Sequence, residues 1–227
     1  MTTNTYLQLT NRVLRHHNEV ELTSSNFSTA TGFYQECKDA INMAIFDIYM
    51  RENCEWPFAW SQYTQTLIAG TNEYNKTTNA FAIDWDSFYI VHATNITQVK
   101  IAQLPYDVYR DTYLERDGEA VTSSAYGKPF NVVRKPDNNI LVTPKPDAAY
   151  SLRYDYYAVP TELVNATDTP SIPEQFNQVI INKALHYTYM SNDNLEMAAV
   201  AEDRYENTVT RMRGILIPSW SNVVSYG

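Results

Sequence analysis

Two carboxylates flank an indole in the stretch Ile83-Asp84-Trp85-Asp86-Ser87. On an extended strand Asp84 and Asp86 would share one face about 7 Å apart. That is near the separation that glycosidases use for their paired carboxyl groups. Acidic pairs at strand ends also face solvent or bracket a turn, which involves no catalysis. His16 and His17 are adjacent, and neighbouring side chains on a helix point apart, so they do not form the one-turn pair that a helical zinc site uses. His92 falls in a strand-like run and His186 in a helical one. Both read as solvated or locally hydrogen-bonded. Cys37 sits on an apolar helical face and reads as a small core residue. Only Cys54 accompanies it, so no cysteine metal framework is expected. With six glycines in all, neither a nucleophile elbow nor a phosphate loop is found. No catalytic, metal or cofactor residue is assigned, and no cofactor is expected.

The elements that would hold these residues change character along the chain. Tyr6, Leu9, Val13 and Leu14 fall on one helical face between Asn4 and His17, with Asn4 as a cap. Thr31 is placed to cap a second helix, with Gly32 just inside it. That helix carries Cys37, Ile41, Ala44, Ile45 and Ile48 at helical spacing and runs to about Arg51. Pro57 closes the helical possibility. From Trp60 the period shortens. A strand leads to a turn at Gly70-Thr71-Asn72, and runs of aromatic and β-branched residues come after it. The segment ITQVKIAQL alternates, and the polar, Tyr-rich PYDVYRDTYLERDGE reads as a short helix or excursion. Strands are expected at Phe130–Arg134, Ile140–Thr143 and Tyr150–Ala158, joined by turns at Pro136–Asn139 and Pro144–Asp147.

Helical spacing returns after Pro173, which can start a helix. Phe176, Val179, Ile180, Ala184 and Tyr187 form one stripe. A break at Ser191-Asn192-Asp193 precedes a second stripe of Leu195, Ala198, Ala199, Tyr205, Val209 and Met212, and Gly214 is expected to stop that helix. The expected class is therefore α+β: a helical bundle from the N- and C-terminal segments with an inserted antiparallel β domain. Residues 1–60 and 170–214 make the bundle, 61–169 the β domain and 215–227 an extended C-terminal docking tail. Trp56, Phe58 and Trp60 sit where helix hands over to sheet and are expected to pack at that seam.

Composition narrows the function. Hydrophobic residues make up 44% of 227, enough for a sizeable core. Eighteen tyrosines suit surfaces that are buried against another chain yet stay wet at their edges. Lys and Arg number 17 against 26 acids, a net charge of −9, which argues against tight binding of nucleic acid. No run of eighteen apolar residues suggests a membrane span, and the opening MTTNTYLQLTNR has no apolar signal core. The tail ILIPSWSNVVSYG is apolar and nearly uncharged. Either it folds onto its own core or it docks on another subunit. The second option makes Ile215, Ile217, Pro218, Trp220, Val223, Val224 and Tyr226 the candidate docking residues.

Four stretches taken in order resemble the head-to-tail adaptor (connector) proteins of tailed bacteriophages, most closely the tail tubular protein A type. They are LTNRVLR; STATGFYQECKDAINMAIFDIY; EWPFAW followed by TLIAGTNEYN; and LVTPKPDAAYSLRYDYYAVPTEL followed by SIPEQFNQVIINKALHY. The segment NKTTNAF departs from the pattern, where a proline-containing strand would be expected. The resemblance implies a non-enzymatic virion protein of the neck or tail, assembled in the host bacterial cytoplasm. It implies a ring of twelve copies between the portal and the tail or nozzle proteins, through which double-stranded DNA passes without specific binding. Another neck or tail-completion protein is the nearest alternative. A carbohydrate-binding module or glycosidase using Asp84 and Asp86 is a more distant one.

Overall fold

The long helices come from the two ends of the chain and the strands from its middle, as the change of period requires. A computed structural model describes residues 4–51, 55–91, 98–114 and 126–217. The chain divides into two units: Met1–Ala59 with Pro160–Gly227, and Trp60–Val159. The Pro- and Thr-rich crossing after Val159 thus belongs with the helices.

In the helical unit, α1 (Tyr6–His16) opens on Thr5, not Asn4. The Thr5 hydroxyl accepts from the Gln8 amide while the Gln8 side chain accepts from the Thr5 amide, a reciprocal cap that satisfies two otherwise free donors. Two more first-turn donors find the crossing segment: the Tyr6 amide donates to the Asp168 carbonyl at 2.7 Å and the Leu7 amide to Ala166 at 3.1 Å. The second helix, α2 (Phe33–Met50), is capped by Gly32 and not by Thr31. Gly32 has φ of 58°, a backbone state glycine adopts without the strain a Cβ adds. Two asparagines act as peptide mimics that pin irregular segments to helices. Asn11 exchanges two 2.8 Å bonds with the backbone of Leu22, and Asn42 exchanges two 3.0 Å bonds with that of Leu163.

After the 3₁₀ turn Glu174–Phe176, for which Pro173 is the cap and not the first helical residue, α4 (Asn177–Ser191) packs against α1, α2 and α5 (Leu195–Leu216). Its central place explains why Val179, Ile180, Ile181, Ala184 and Leu185 are all buried. Asp193 turns the chain with φ of 56°, and the Asn194 side chain caps α5 through the Met197 amide. Ala198, Ala201, Tyr205, Val209 and Met212 face inward on α5, whereas Leu195 and Ala199, expected on that face, are exposed. The short helix of the polar excursion, α3 (Tyr106–Thr112), lies in the other unit.

That β unit holds two sheets and two buried clusters: a large one to which both sheets contribute, and a small one of Tyr109, Val133 and Leu141. In the first sheet, β9 (Tyr150–Ala158) is central. It pairs along its length with β1 (Trp60–Leu67) on one edge, and with β4 (Tyr89–Val91) and β3 (Ala80–Ile83) on the other; β4 continues to β5 (Gln98–Lys100). The second sheet runs β2 (Glu73–Tyr74), β8 (Ile140–Thr143), β7 (Asn131–Arg134), β6 (Ala102–Leu104). Alternation along β9 buries Tyr150, Leu152, Tyr154 and Tyr156 against Leu67, Phe88, Ile90, Val132, Ile140 and Val142.

Two details differ from the sequence expectation. The pair β6–β7 is parallel, so the unit is antiparallel in the main and not throughout. ITQVKIAQL is not one strand. It breaks at Ile101, whose side chain is buried, into β5 of one sheet and β6 of the other, leaving Val99 exposed. A change of sheet resets which side chains face the core, so alternation cannot run across it.

Candidate subunit-docking surface

The outer face of α2 is one of the places where apolar groups remain open on the helical unit. The inner face of this helix, with Cys37, Ile41, Ala44 and Ile48, is fully buried. On the opposite side Met43 and Phe46 are each 50% exposed. They stand among carboxylates: Glu36 and Asp39 toward the N-terminus, and Asp47 beside Phe46. A cavity of about 350 Å³ opens between Met43, Ile45, Phe46 and the crossing segment at Pro160, Thr161 and Glu162. A second, of about 270 Å³, lies between Glu36, Asp39, Met43 and the α4 residues Tyr187, Thr188 and Ser191. Met43 is the ridge between them. Among the described residues no Lys or Arg lines either one.

Beneath this surface lies a charged knot that the sequence reading missed. Lys183, on the buried face of α4, places its ammonium 2.9 Å from each carboxylate oxygen of Glu202 and 3.8 Å from Asp47. Its Nζ also lies 4.8 Å from the Tyr205 ring centre and 5.3 Å from that of Tyr187. The Tyr187 hydroxyl donates to Asp47, and Tyr187 is held protonated well above its ordinary range, first by burial and then by that carboxylate. His186 Nδ1 approaches the Ala198 carbonyl at 3.1 Å and Glu202 at 3.5 Å. Nearby, Arg51 meets Glu206 with two bonds of 2.9 and 2.6 Å and lies over Tyr205. These contacts tie α2, α4 and α5 together. The available signal was Lys183 inside the apolar run VIINKAL: a cation buried there needs an anion on a facing element.

The chemistry-bearing residues of the sequence stand apart from one another. Asp84 and Asp86 are not on a strand. They come after β3 in a turn, where the Asp84 carboxylate accepts from the Asp86 amide at 3.0 Å and the Asp84 carbonyl accepts from the Ser87 hydroxyl at 2.6 Å. Both are exposed, so the shared strand face expected for them does not form, and the first of the two serves the turn. His16 is exposed, while His17 turns inward, 2.8 Å from the Thr188 hydroxyl, and is held below its usual value first by burial and then by His16. Burial pushes the Cys37 thiol up to about 12, helped by Glu36 and Glu19, which leaves it a poor nucleophile. His92 and Cys54 lie outside the described residues. Among the described residues no group of three or more potential ligands could hold a metal ion, and no helix is long and apolar enough to cross a membrane.

Of the aromatic junction, Trp56 and Phe58 belong to the helical unit and Trp60 to the β unit. Trp56 is 1% exposed, donates its indole N–H to the Ile48 carbonyl at 2.6 Å and stacks on Phe58, which in turn meets Tyr49 edge-on. Trp60 begins β1 opposite Tyr157 and is half exposed. At the other end Gly214 does not stop α5. Its φ stays outside the left-handed region, so nothing turns the helix there, and it continues to Leu216. Ile215 is thus a helical residue, 58% exposed, and Ile217 is the cap. Pro218, Trp220, Val223, Val224 and Tyr226 lie outside the described residues.

Among the described residues, Cys37 and His17 are taken up in packing and Asp84 in a turn, while Met43 and Phe46 stay open on α2. The chain matches the SU10 adaptor protein family over residues 4–223 and belongs to it. It is a bacteriophage adaptor, a structural component of the virion, as the four resembling stretches implied. No curated protein is similar enough to stand beside it as a relative.

Proposed function

We propose that copies of this chain close into the ring that joins portal to tail in a tailed phage, as a tail tubular protein A type adaptor with twelve subunits. The genome then passes through the centre of the ring without being gripped. The observation that carries this reading is the apolar surface open on the helical unit: Met43, Phe46, Met190, Leu195 and Ile215 are each between 47% and 64% exposed. A ring needs heterologous contacts, in which one face of a subunit meets a different face of the next. Family membership over nearly the whole chain supports the adaptor role.

Ile215, Ile217 and the succeeding Pro218, Trp220, Val223, Val224 and Tyr226 fasten the subunit to portal or to an adjacent copy. The β unit reaches toward neighbouring subunits or tail and nozzle components. A net charge of −9 keeps duplex DNA from sticking, which suits a passive conduit. The test is the mass of the purified chain, alone and mixed with portal. A shift from monomer to a closed multimer, alone or on portal, is expected; a monomer under both conditions overturns the reading.

A further inference from the structure

The helical unit carries a second stripe whose chemistry is the complement of the first. On α5, Arg204, Arg211 and Ile215 recur at seven and four residues, so they line one side of the helix over its last three turns. All three are exposed. Neither arginine has an ion-pair partner among the described residues; of the acids beside them on the helix, Glu206 is taken by Arg51, and Asp203 precedes Arg204 directly, where neighbouring side chains point apart. The outer stripe of α2 is apolar and acidic: Asp39, Met43 and Phe46, with Glu162 at the rim of the cavity beside them. Glu162 is exposed and also lacks an ion-pair partner among the described residues. The sole cation of α2 itself, Lys38, is buried and donates to the Phe27 carbonyl and to Gln35.

We infer that the Arg204–Arg211–Ile215 stripe of one copy docks along the Asp39–Met43–Phe46–Glu162 surface of the next. The occupant is a second copy of this chain because each stripe supplies what the other lacks. Basic and apolar groups meet acidic and apolar ones, and the two stripes are different surfaces of the same unit. That makes the contact heterologous, the kind that repeats around a closed ring. Complementary charge fixes partner and register more than it adds affinity, and like charges facing each other oppose assembly. The inference rests on the ring reading above and names the faces that build it.

A charge swap tests it. One full-length variant carries Arg204→Glu and Arg211→Glu, the other Asp39→Arg and Glu162→Arg. All four positions are exposed, so each variant should melt close to the wild type. Native mass measurement over a concentration series, with and without portal, reads assembly. Each variant alone is expected to need about tenfold more protein, or more, than the wild type to assemble. An equimolar mixture should assemble near the wild-type concentration, because alternating copies restore opposite charges at every contact. Variants that assemble singly like the wild type, or a mixture that does not recover, overturn this contact while leaving a ring in place. A wild-type chain that stays monomeric even with portal overturns the ring and the contact together.

Discussion

Single side chains hold this structure in ways a variant can expose. Trp56 fills a buried site at the end of α2 and satisfies the Ile48 carbonyl. Replacing it with Ala removes the ring and leaves a cavity, so a loss of about 3–5 kcal/mol in chemical denaturation is expected. Arg51 and Glu206 give a pH signature. Its two bonds to Arg51 lower the Glu206 carboxyl below the ordinary 4.5 in the folded state. A group with a depressed folded value adds stability above its unfolded value and loses it as pH falls through the folded one. The melting-temperature gap between wild type and Glu206→Gln should therefore be open above pH 4.5 and close below it. A gap that persists unchanged into stronger acid would mean the pair contributes nothing through ionisation. Asp84→Ala combined with Asp86→Ala is expected to leave infectivity nearly intact, since these carboxylates are exposed in a turn.

At the scale of elements, helix starts are the points to probe. Thr5 supplies a reciprocal cap to α1, and Thr5→Ala is expected to lower stability by about 1 kcal/mol. Gly32 poses the opposite problem. A Cβ there meets nothing within 4 Å, so the penalty for Gly32→Ala comes from the backbone state alone. About 1 kcal/mol is expected, with Gly32→Asn milder, because asparagine tolerates positive φ better than alanine does. Equal stability of all three chains in a urea titration would contradict that account. Lys183 joins α4 to α2 and α5. Its replacement by Met should be better tolerated than replacement of Glu202 alone, which leaves the ammonium buried without its closest partner.

For the whole molecule the questions are assembly and cargo. Truncation after Ile217 leaves the described part of the helical unit whole and removes only the last ten residues, 218–227. Particles made with that chain should lack the adaptor if those residues fasten it, and normal incorporation would place the fastening elsewhere. With 17 basic residues against 26 acidic ones, the chain should not retard duplex DNA at physiological salt. Retention there would argue against a passive conduit.

The sequence alone determined the class and the order of elements, because these depend on local periodicity. A stripe at 3.6 residues marks a helix and alternation marks a strand wherever the rest of the chain lies, so Ile140–Thr143 and Tyr150–Ala158 could be placed to the residue. Family likeness was also legible, since it resides in the order of short stretches. Tertiary structure decided whatever depends on a distant neighbour. Thr5 rather than Asn4 caps α1 as part of a helix start that is also bonded to Asp168 and Ala166, far along the chain. Ile101 divides two sheets because its side chain is wanted in a core that β4 and β7 help to build. Lys183 finds Glu202 only when α4 and α5 fold together. The two complementary stripes became visible once packing had shown which faces of α2 and α5 stay open, for an amphipathic pattern shows that a helix has two sides but not which neighbours cover them.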